Sequence, residues 1–485
     1  MLPFLLIRGH ESQQSEKLKK IPKKDRIELA IKQEFESTVD PKLKRIPSEK
    51  LIDIQKALQR QIATEKRNVE PLEWEERGPD NVGGRTRAIL IDKADNTGNT
   101  IFSGSVAGGI WKTTNAKAAQ PVWSHVPGLI DNLAIGCLVQ DPSNNSIIYA
   151  GTGEGYFNVD AQKGNGIWKT NDGGNSWSRL SSTANEQFNY IQKIGISNDG
   201  KIFACTRNNG VMRSDNAGAS WTKVLGINVN ATSDRAVDLI ITTDNVIFVS
   251  LGIFSTDGIY RSEDLGDSWV KMTNGLPAGG YQRIALAGSA QNENLIYALY
   301  QDELTDGCEH IYKSTDQGNS WTELLVPQAY GMTNFARNQA WYNLSIAVDP
   351  GNQNRVIVGG IDLHMSENGG QSWAQISNWS GAGGYDYVHA DQHAIVFEGN
   401  NSGTVFFGND GGIARCQNIA ASNLDIEAIN TAYNVTQFYA GEIHPYGAIP
   451  VLLAGAQDNG TQRFDAGGVN STTEVSGGDG SFCHI

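Results

Sequence analysis

The chain has little charge, little methionine and no paired cysteine. Charged residues make up 19% of it, and methionine occupies five positions. The five cysteines (Cys137, Cys205, Cys308, Cys416 and Cys483) are scattered, odd in number and lack a Cys-x-x-Cys spacing. That pattern supports neither a disulfide framework nor a cysteine-built zinc site. Cys137 and Cys205 sit in apolar, strand-like runs and are expected in a core. No stretch approaches the ~20 apolar residues of a membrane-spanning helix. The run from Leu2 to Ile7 is apolar but short, with no basic residue before it and no clear cleavage site. It reads as the remnant of an export signal that starts upstream. There is no His-Glu-x-x-His, no nucleophile elbow with a Ser-His-Asp order, and no glycine loop followed by Lys-Ser/Thr. Zincin, α/β-hydrolase and phosphate-loop chemistry therefore have no carrier here.

Glycine, by contrast, is abundant at 54 residues, as in a turn-rich β protein. The net charge of −14 is uneven: residues 1–70 carry 16 Lys and Arg against 11 Asp and Glu, so the remainder is strongly acidic. An acidic body disfavours nucleic acid or an anionic membrane as partner, because phosphates reward basic surfaces. Neutral polysaccharide, protein and cations remain open.

One phrase, Ser/Thr-x-Asp/Asn-x-Gly-x-Ser-Trp, occurs five times. It runs from Thr170 to Trp177, Ser214 to Trp221, Ser262 to Trp269, Ser314 to Trp321 and Ser366 to Trp373, and an eroded copy ends at Trp123. Successive tryptophans are 54, 44, 48, 52 and 52 residues apart. Each copy follows three apolar runs and precedes one more, and four strands every ~45–50 residues is the pattern of a β-propeller. Within the phrase, glycine supplies positive φ, the Asp or Asn accepts from loop amides, and Trp covers the neighbouring unit. The phrase resembles the Asp-box (bacterial neuraminidase) repeat, whose relatives include sialidases, sortilin-type receptors and two-propeller xyloglucan-cleaving enzymes. In that family the box is structural and lies on the blade's outer edge. The resemblance therefore implies that Asp172, Asp264, Asp316, Asn216 and Asn368 are turn formers, not an active site.

Three regions follow. Residues 1–70 form a basic segment whose Ile27, Ile31 and Phe35 recur as on one helix face, with a second helix predicted after Ser48 (Leu51, Ile54, Leu58 and Ile62 inward). It reads as a propeptide, targeting or docking segment, or as a helical pair packed on the body or partly disordered. Residues 71–430 give blades one to seven. Residues 431–485 begin a second propeller, with an eighth unit from Val435 and the start of a ninth at Gly477. A single larger, sortilin-like ring is the competing architecture. The stretch at Trp74 resembles an outer strand and suggests a blade assembled from both chain ends. The chain then reads as a fragment of a longer protein, with open sheet edges prone to association. The family's secreted bacterial members carry further blades and often a sorting domain for type IX export, which implies an extracellular or cell-surface protein.

The candidate chemistry lies in glycine-rich loops at the channel face. The xyloglucan-cleaving relatives place one catalytic Asp in a Thr-Asp-x-Gly-Gly phrase of the first blade. The corresponding stretch here is Ser105-Val106-Ala107-Gly108-Gly109, so Val106 stands in that place. A carboxylate does occur in Asn409-Asp410-Gly411-Gly412, and Asp410 is the best catalytic candidate; a ligand contact or a turn-forming role is open to it too. Glu154, Asp458 and Asp479 also sit in glycine-flanked loops. His389, Asp391 and His393 would share one face of a straight strand. The two histidines would then be ~13 Å apart, too far for one zinc to draw all three ligands in. The ligand-binding set is thus Glu154, His389, Asp391, His393, Asp410, Asp458 and Asp479, with no metal site and no cofactor; a structural cation is possible. The favoured function is a non-catalytic propeller binding glycan or protein at its channel face. The alternative is a glycoside hydrolase using a carboxylate acid/base pair.

Overall fold

The computed structural model describes residues 36, 39–44, 50, 57, 60, 75–126, 134–158, 161–331, 334–399, 403–446 and 451–485. The chain divides into residues 1–72 and 73–485. In the first unit Glu36, Lys50, Ala57 and Arg60 are helical, and Asp40 closes a turn by accepting from the amides of Lys42 and Leu43. The expected helix faces from Ile27 to Phe35 and from Leu51 to Ile62 lie outside the described residues, as does Trp74.

The second unit is built of antiparallel meanders, eight of them with four strands in sequence order; the third carries an extra two-residue strand, Asn230–Ala231. The first strands of the first seven are Thr86–Ile91, Ile135–Gln140, Ile191–Ile196, Ala236–Ile241, Tyr281–Gly288, Ser345–Asp349 and Ala394–Phe397. Each packs on the next, and the seventh packs on the first, so they line a central channel. The second strands explain why the blades adhere. Ile101–Ser105, Ile202–Thr206 and Ile247–Leu251 are buried along their whole length. Because successive side chains point to opposite faces, each second strand feeds two blade interfaces. Phe102 packs towards blade two while Ile101 packs towards blade seven. Phe248 packs towards blade five, and Ile247 and Val249 towards blade three.

Closure follows from the same pattern. Ile89, Trp111 and Trp123 of blade one share a core with Phe406, Ile413 and Tyr433 of the blade-seven region. The Trp123 indole donates to the Ile429 carbonyl at 2.7 Å. The ring is therefore complete at seven blades. This corrects the expectation of a single larger ring: blades one and seven each supply four strands and bury each other's aromatics. The expected blade assembled from both chain ends rests on Trp74, which lies outside the described residues.

The repeated loops join the third and fourth strands, the two farthest from the channel. In each, the carboxylate or amide closes its own turn. Asp316 accepts from the Ser314 hydroxyl (2.8 Å), the Ser320 amide (2.9 Å) and the Ser320 hydroxyl (2.6 Å). Asn216 and Asn368 repeat the Ser-amide bond at 2.9 Å. Gly318 holds φ +83°, and Trp321 beside it is buried in the interface of blades four and five.

The eighth meander, Phe438–Ile443, Leu452–Ala456, Thr461–Phe464 and Thr473–Ser476, pairs in the same order. Residues 477–485 hold no strand. Instead Gly480 donates back to the Ala456 carbonyl at 2.7 Å, and Gly460 donates to the Gly478 carbonyl at 2.8 Å. The stretch from Gly477 folds back over the eighth meander, where small residues let the backbones meet.

Candidate functional site

The close approach of two backbones and an imidazole ring positions the site. Gly83 and Gly84 lead into the first strand of blade one, and a Cβ on Gly83 would collide with the Gly411 carbonyl. A Cβ on Gly411 would in turn strike the His389 ring. Glycine at these positions brings Arg85 directly beside the Asn409-Asp410-Gly411-Gly412 turn of blade seven.

Arg85 then becomes the hub. Its Nε donates to Asp410 Oδ1 at 3.1 Å, Nη1 lies 3.4 Å from Glu154 Oε1, and Nη2 lies 3.5 Å from Asp458 Oδ2. Arg87, two residues on and pointing the same way, donates through Nε to Glu154 Oε1 at 3.0 Å. Its Nη1 reaches His393 Nδ1 at 3.1 Å, and His393 Nε2 reaches Asp410 Oδ1 at 2.8 Å. Since a guanidinium only donates, Nδ1 must accept, which leaves the imidazole proton on Nε2 for Asp410. Tyr342 donates its hydroxyl to Asp410 at 2.9 Å. It sits in a short helical turn, Ala340–Asn343, between blades five and six. Asn343 donates to Asp391 at 2.7 Å.

Electrostatics separate the carboxyls. Asp410 is 2% exposed; burial works against its charge, but His393 and Arg85 hold its carboxyl well below the usual range. Burial and the Arg87 cation push His393 down to about 3, so its ring is neutral. Burial and the Asp410 charge push Asp391 up to about 6 and Asp458 up to about 8. Asp458 therefore keeps its proton at neutral pH, with its side chain 29% exposed.

Asp458 faces a cavity of about 590 Å³ between blade seven and the eighth meander. His389, Asp391, Asp479, Asn459, Trp379 and Tyr387 also line it. His389 Nε2 donates to the Asp458 carbonyl at 2.9 Å, and the Asp458 amide donates to Asp479 Oδ1 at 3.0 Å. Trp379 and Tyr387 are exposed there, at 42% and 56%.

All seven sequence-derived candidates thus fall in one neighbourhood, in two layers. Glu154, His393 and Asp410 are buried beneath, and His389, Asp391, Asp458 and Asp479 line the cavity. Two expectations change. Asp410 is sealed under its partners and does not face the cavity. The stretch from His389 to His393 is not a strand: Asp391 takes φ +67° and the strand begins at Ala394. The histidines consequently diverge, His389 to the cavity and His393 to the buried layer. Sequence reasoning missed Arg85, Arg87, Tyr342 and Asn343. Arginines in an otherwise apolar first strand were the available signal for the first two. Among the described residues no cluster of three or more His, Cys, Asp or Glu is arranged to hold a metal ion, and no helix is long and apolar enough to cross a membrane.

No family model matches the chain. It is 25% identical over 300 residues to a xyloglucanase of a Paenibacillus species, an alignment covering 59% of this chain and 24% of that enzyme. The chain thus spans about a quarter of that relative's length. Among solved structures it superposes on the GH74 xyloglucanase of Xanthomonas campestris with a TM-score of 0.60 at 19% identity, covering 80% of this chain and 60% of that one. The GH74 enzyme of Niastella koreensis gives the same TM-score and coverages at 20% identity. These likenesses establish the propeller fold, and the sequence relatives are glycoside hydrolases.

Proposed function

We propose that this chain is the polysaccharide-binding and hydrolytic face of a glycoside hydrolase-like propeller protein that acts outside the cell. The eighth meander is then the first blade of a second propeller, and the cavity between it and blade seven is the substrate cleft. One observation carries the reading: the half-buried, protonated Asp458 lies in a cleft flanked by exposed Trp379 and Tyr387. A carboxyl that keeps its proton near neutrality is what leaving-group protonation requires. Aromatic faces with convergent polar groups suit a sugar ligand. Asp458 is the general acid in this proposal, and the exposed Asp479 carboxylate on the neighbouring loop, which accepts from the Asp458 amide, is the partner that activates water. Asp410 acts as a positioning residue: its fixed charge keeps Asp458 protonated.

A second reading rests on Val106. It is 1% exposed and stands where the xyloglucan-cleaving relatives carry a catalytic Asp, which favours glycan binding without cleavage. Xyloglucan and other neutral β-glucans offered to the full-length protein separate the two. Release of reducing ends that Asp458→Asn abolishes supports hydrolysis. Saturable binding without release supports the second reading. No binding to any glycan overturns both.

A further inference from the structure

At the centre of the ring lies a second cavity, of about 160 Å³, lined by Arg87, Tyr156, Gln192, Lys193, Asp238 and Arg283 among others. It is distinct from the proposed cleft and collects residues from the first strands of all seven blades. Three buried nitrogens on its lining have no hydrogen-bond partner among the described residues: Arg87 Nη2, Arg283 Nε and Gln192 Nε2. Arg283 is 5% exposed. Its bonds go to the carbonyls of Ala340 (3.2 Å), Trp341 (3.1 Å) and Leu344 (2.7 Å), and to no carboxylate.

The nearby acids are already engaged. Asp238 accepts from the amides of Leu239 and Leu286, both at 2.9 Å, and lies 3.7 Å from Lys193. Glu154 is shared by Arg85 and Arg87. The guanidinium carbons of Arg87 and Arg283 each lie 4.4 Å from the centroid of the same Tyr156 ring. The two guanidiniums thus share one aromatic ring, and burial together with the Arg87 charge works against the charge on Arg283. Arg85 pairs with Asp410, Arg87 with Glu154 and the half-exposed Lys193 with Asp238, which leaves Arg283 as the buried cation whose bonds go only to carbonyls. Burying a surplus charge without a counterion is costly.

We infer that the central cavity is a binding site for one small inorganic anion of halide size, held between Arg87 Nη2 and Arg283 Nε with Gln192 as a further donor. One negative charge balances the surplus and satisfies the orphaned donors together. The cavity of about 160 Å³ holds such an ion together with several waters. The site ties strands of blades one, three and five across the channel, so its occupant stabilises ring closure.

The test compares thermal unfolding of the full chain in sodium chloride and in sodium gluconate at matched ionic strength. Chloride is expected to raise Tm saturably by about 1–2 °C, the size that a tenfold excess over Kd gives a protein this large. Arg283→Gln is expected to lose that difference. Should that variant fold poorly, crystals of the unaltered protein grown in sodium bromide decide the matter: an anomalous peak is expected within bonding distance of Arg87 Nη2 and Arg283 Nε. Equal Tm in both salts, or density at that position without anomalous signal, overturns the proposal.

Discussion

Replacing Arg85 with Met tests the buried layer most severely. The substitution keeps much of the side-chain volume and removes the charge that Asp410, Glu154 and Asp458 share. Glu154 retains Arg87 at 3.0 Å, and Asp458 loses a cation that favoured its ionised form, so it stays protonated and needs no counterion. The loss therefore falls on Asp410, which is 2% exposed. Breaking a buried ion pair from one side costs about 3–5 kcal/mol, which for the described propeller corresponds to a Tm lower by about 3–6 °C. The deficit also has a pH signature. In the intact protein the Arg87 and Arg85 cations help hold His393 down at about 3. Without Arg85 the His393 pKa rises, and below that raised value the imidazolium supplies Asp410 with a replacement cation. Relative to the intact protein, the variant therefore gains stability below the raised His393 value, and that gain is lost as pH climbs. The Arg85→Met deficit should accordingly be largest at pH 8 and shrink at pH 5, measured by urea unfolding of both proteins at each pH. A deficit under about 1 kcal/mol, or one equal at the two pH values, refutes the hub role given to Arg85.

Three further outcomes follow from the geometry. Gly411→Ala places a methyl group in the His389 ring and should both lower Tm and weaken glycan binding at the cleft, read by scanning fluorimetry and a binding titration. Asp316→Ala removes three accepted hydrogen bonds in an outer loop; it should cost about 1 kcal/mol and leave every ligand interaction unchanged. Trp321→Ala, emptying a buried indole site between blades four and five, should cost about 3–5 kcal/mol, so chemical denaturation should rank it well above Asp316→Ala.

The two scales of organisation were unequally legible. Blade number and loop chemistry follow from local rules: a glycine at positive φ, a carboxylate closing its own turn, a tryptophan after it. Such signals sit within eight residues and survive without tertiary context. Glu154, Asp410, Asp458 and Asp479 stood out for a related reason, since glycines flank them and glycine marks close backbone approach. Arg85, Arg87 and Tyr342 did not stand out, because their roles exist only after the ring closes and sets blade one against blade seven. Tyr342 is also delivered by a short helical turn that the strand periodicity gives no reason to expect. The histidine pair was misread through a single residue: Asp391 at φ +67° breaks the alternation and sends the two rings apart. Burial of Asp410 likewise depended on three partners from distant parts of the chain, so its carboxylate looked available when it was sealed.

The most direct test of the central claim is the pH dependence of xyloglucan hydrolysis by the full-length protein, with and without Asp458→Asn. Asp458, pushed up to about 8, acts as the acid only while protonated, so the rate should hold through neutrality and fall on an alkaline limb near pH 8. Asp458→Asn should remove activity at every pH while leaving glycan affinity within about twofold, since an amide keeps the shape but delivers no proton. Residual hydrolysis in Asp458→Asn with an unchanged alkaline limb would contradict the account.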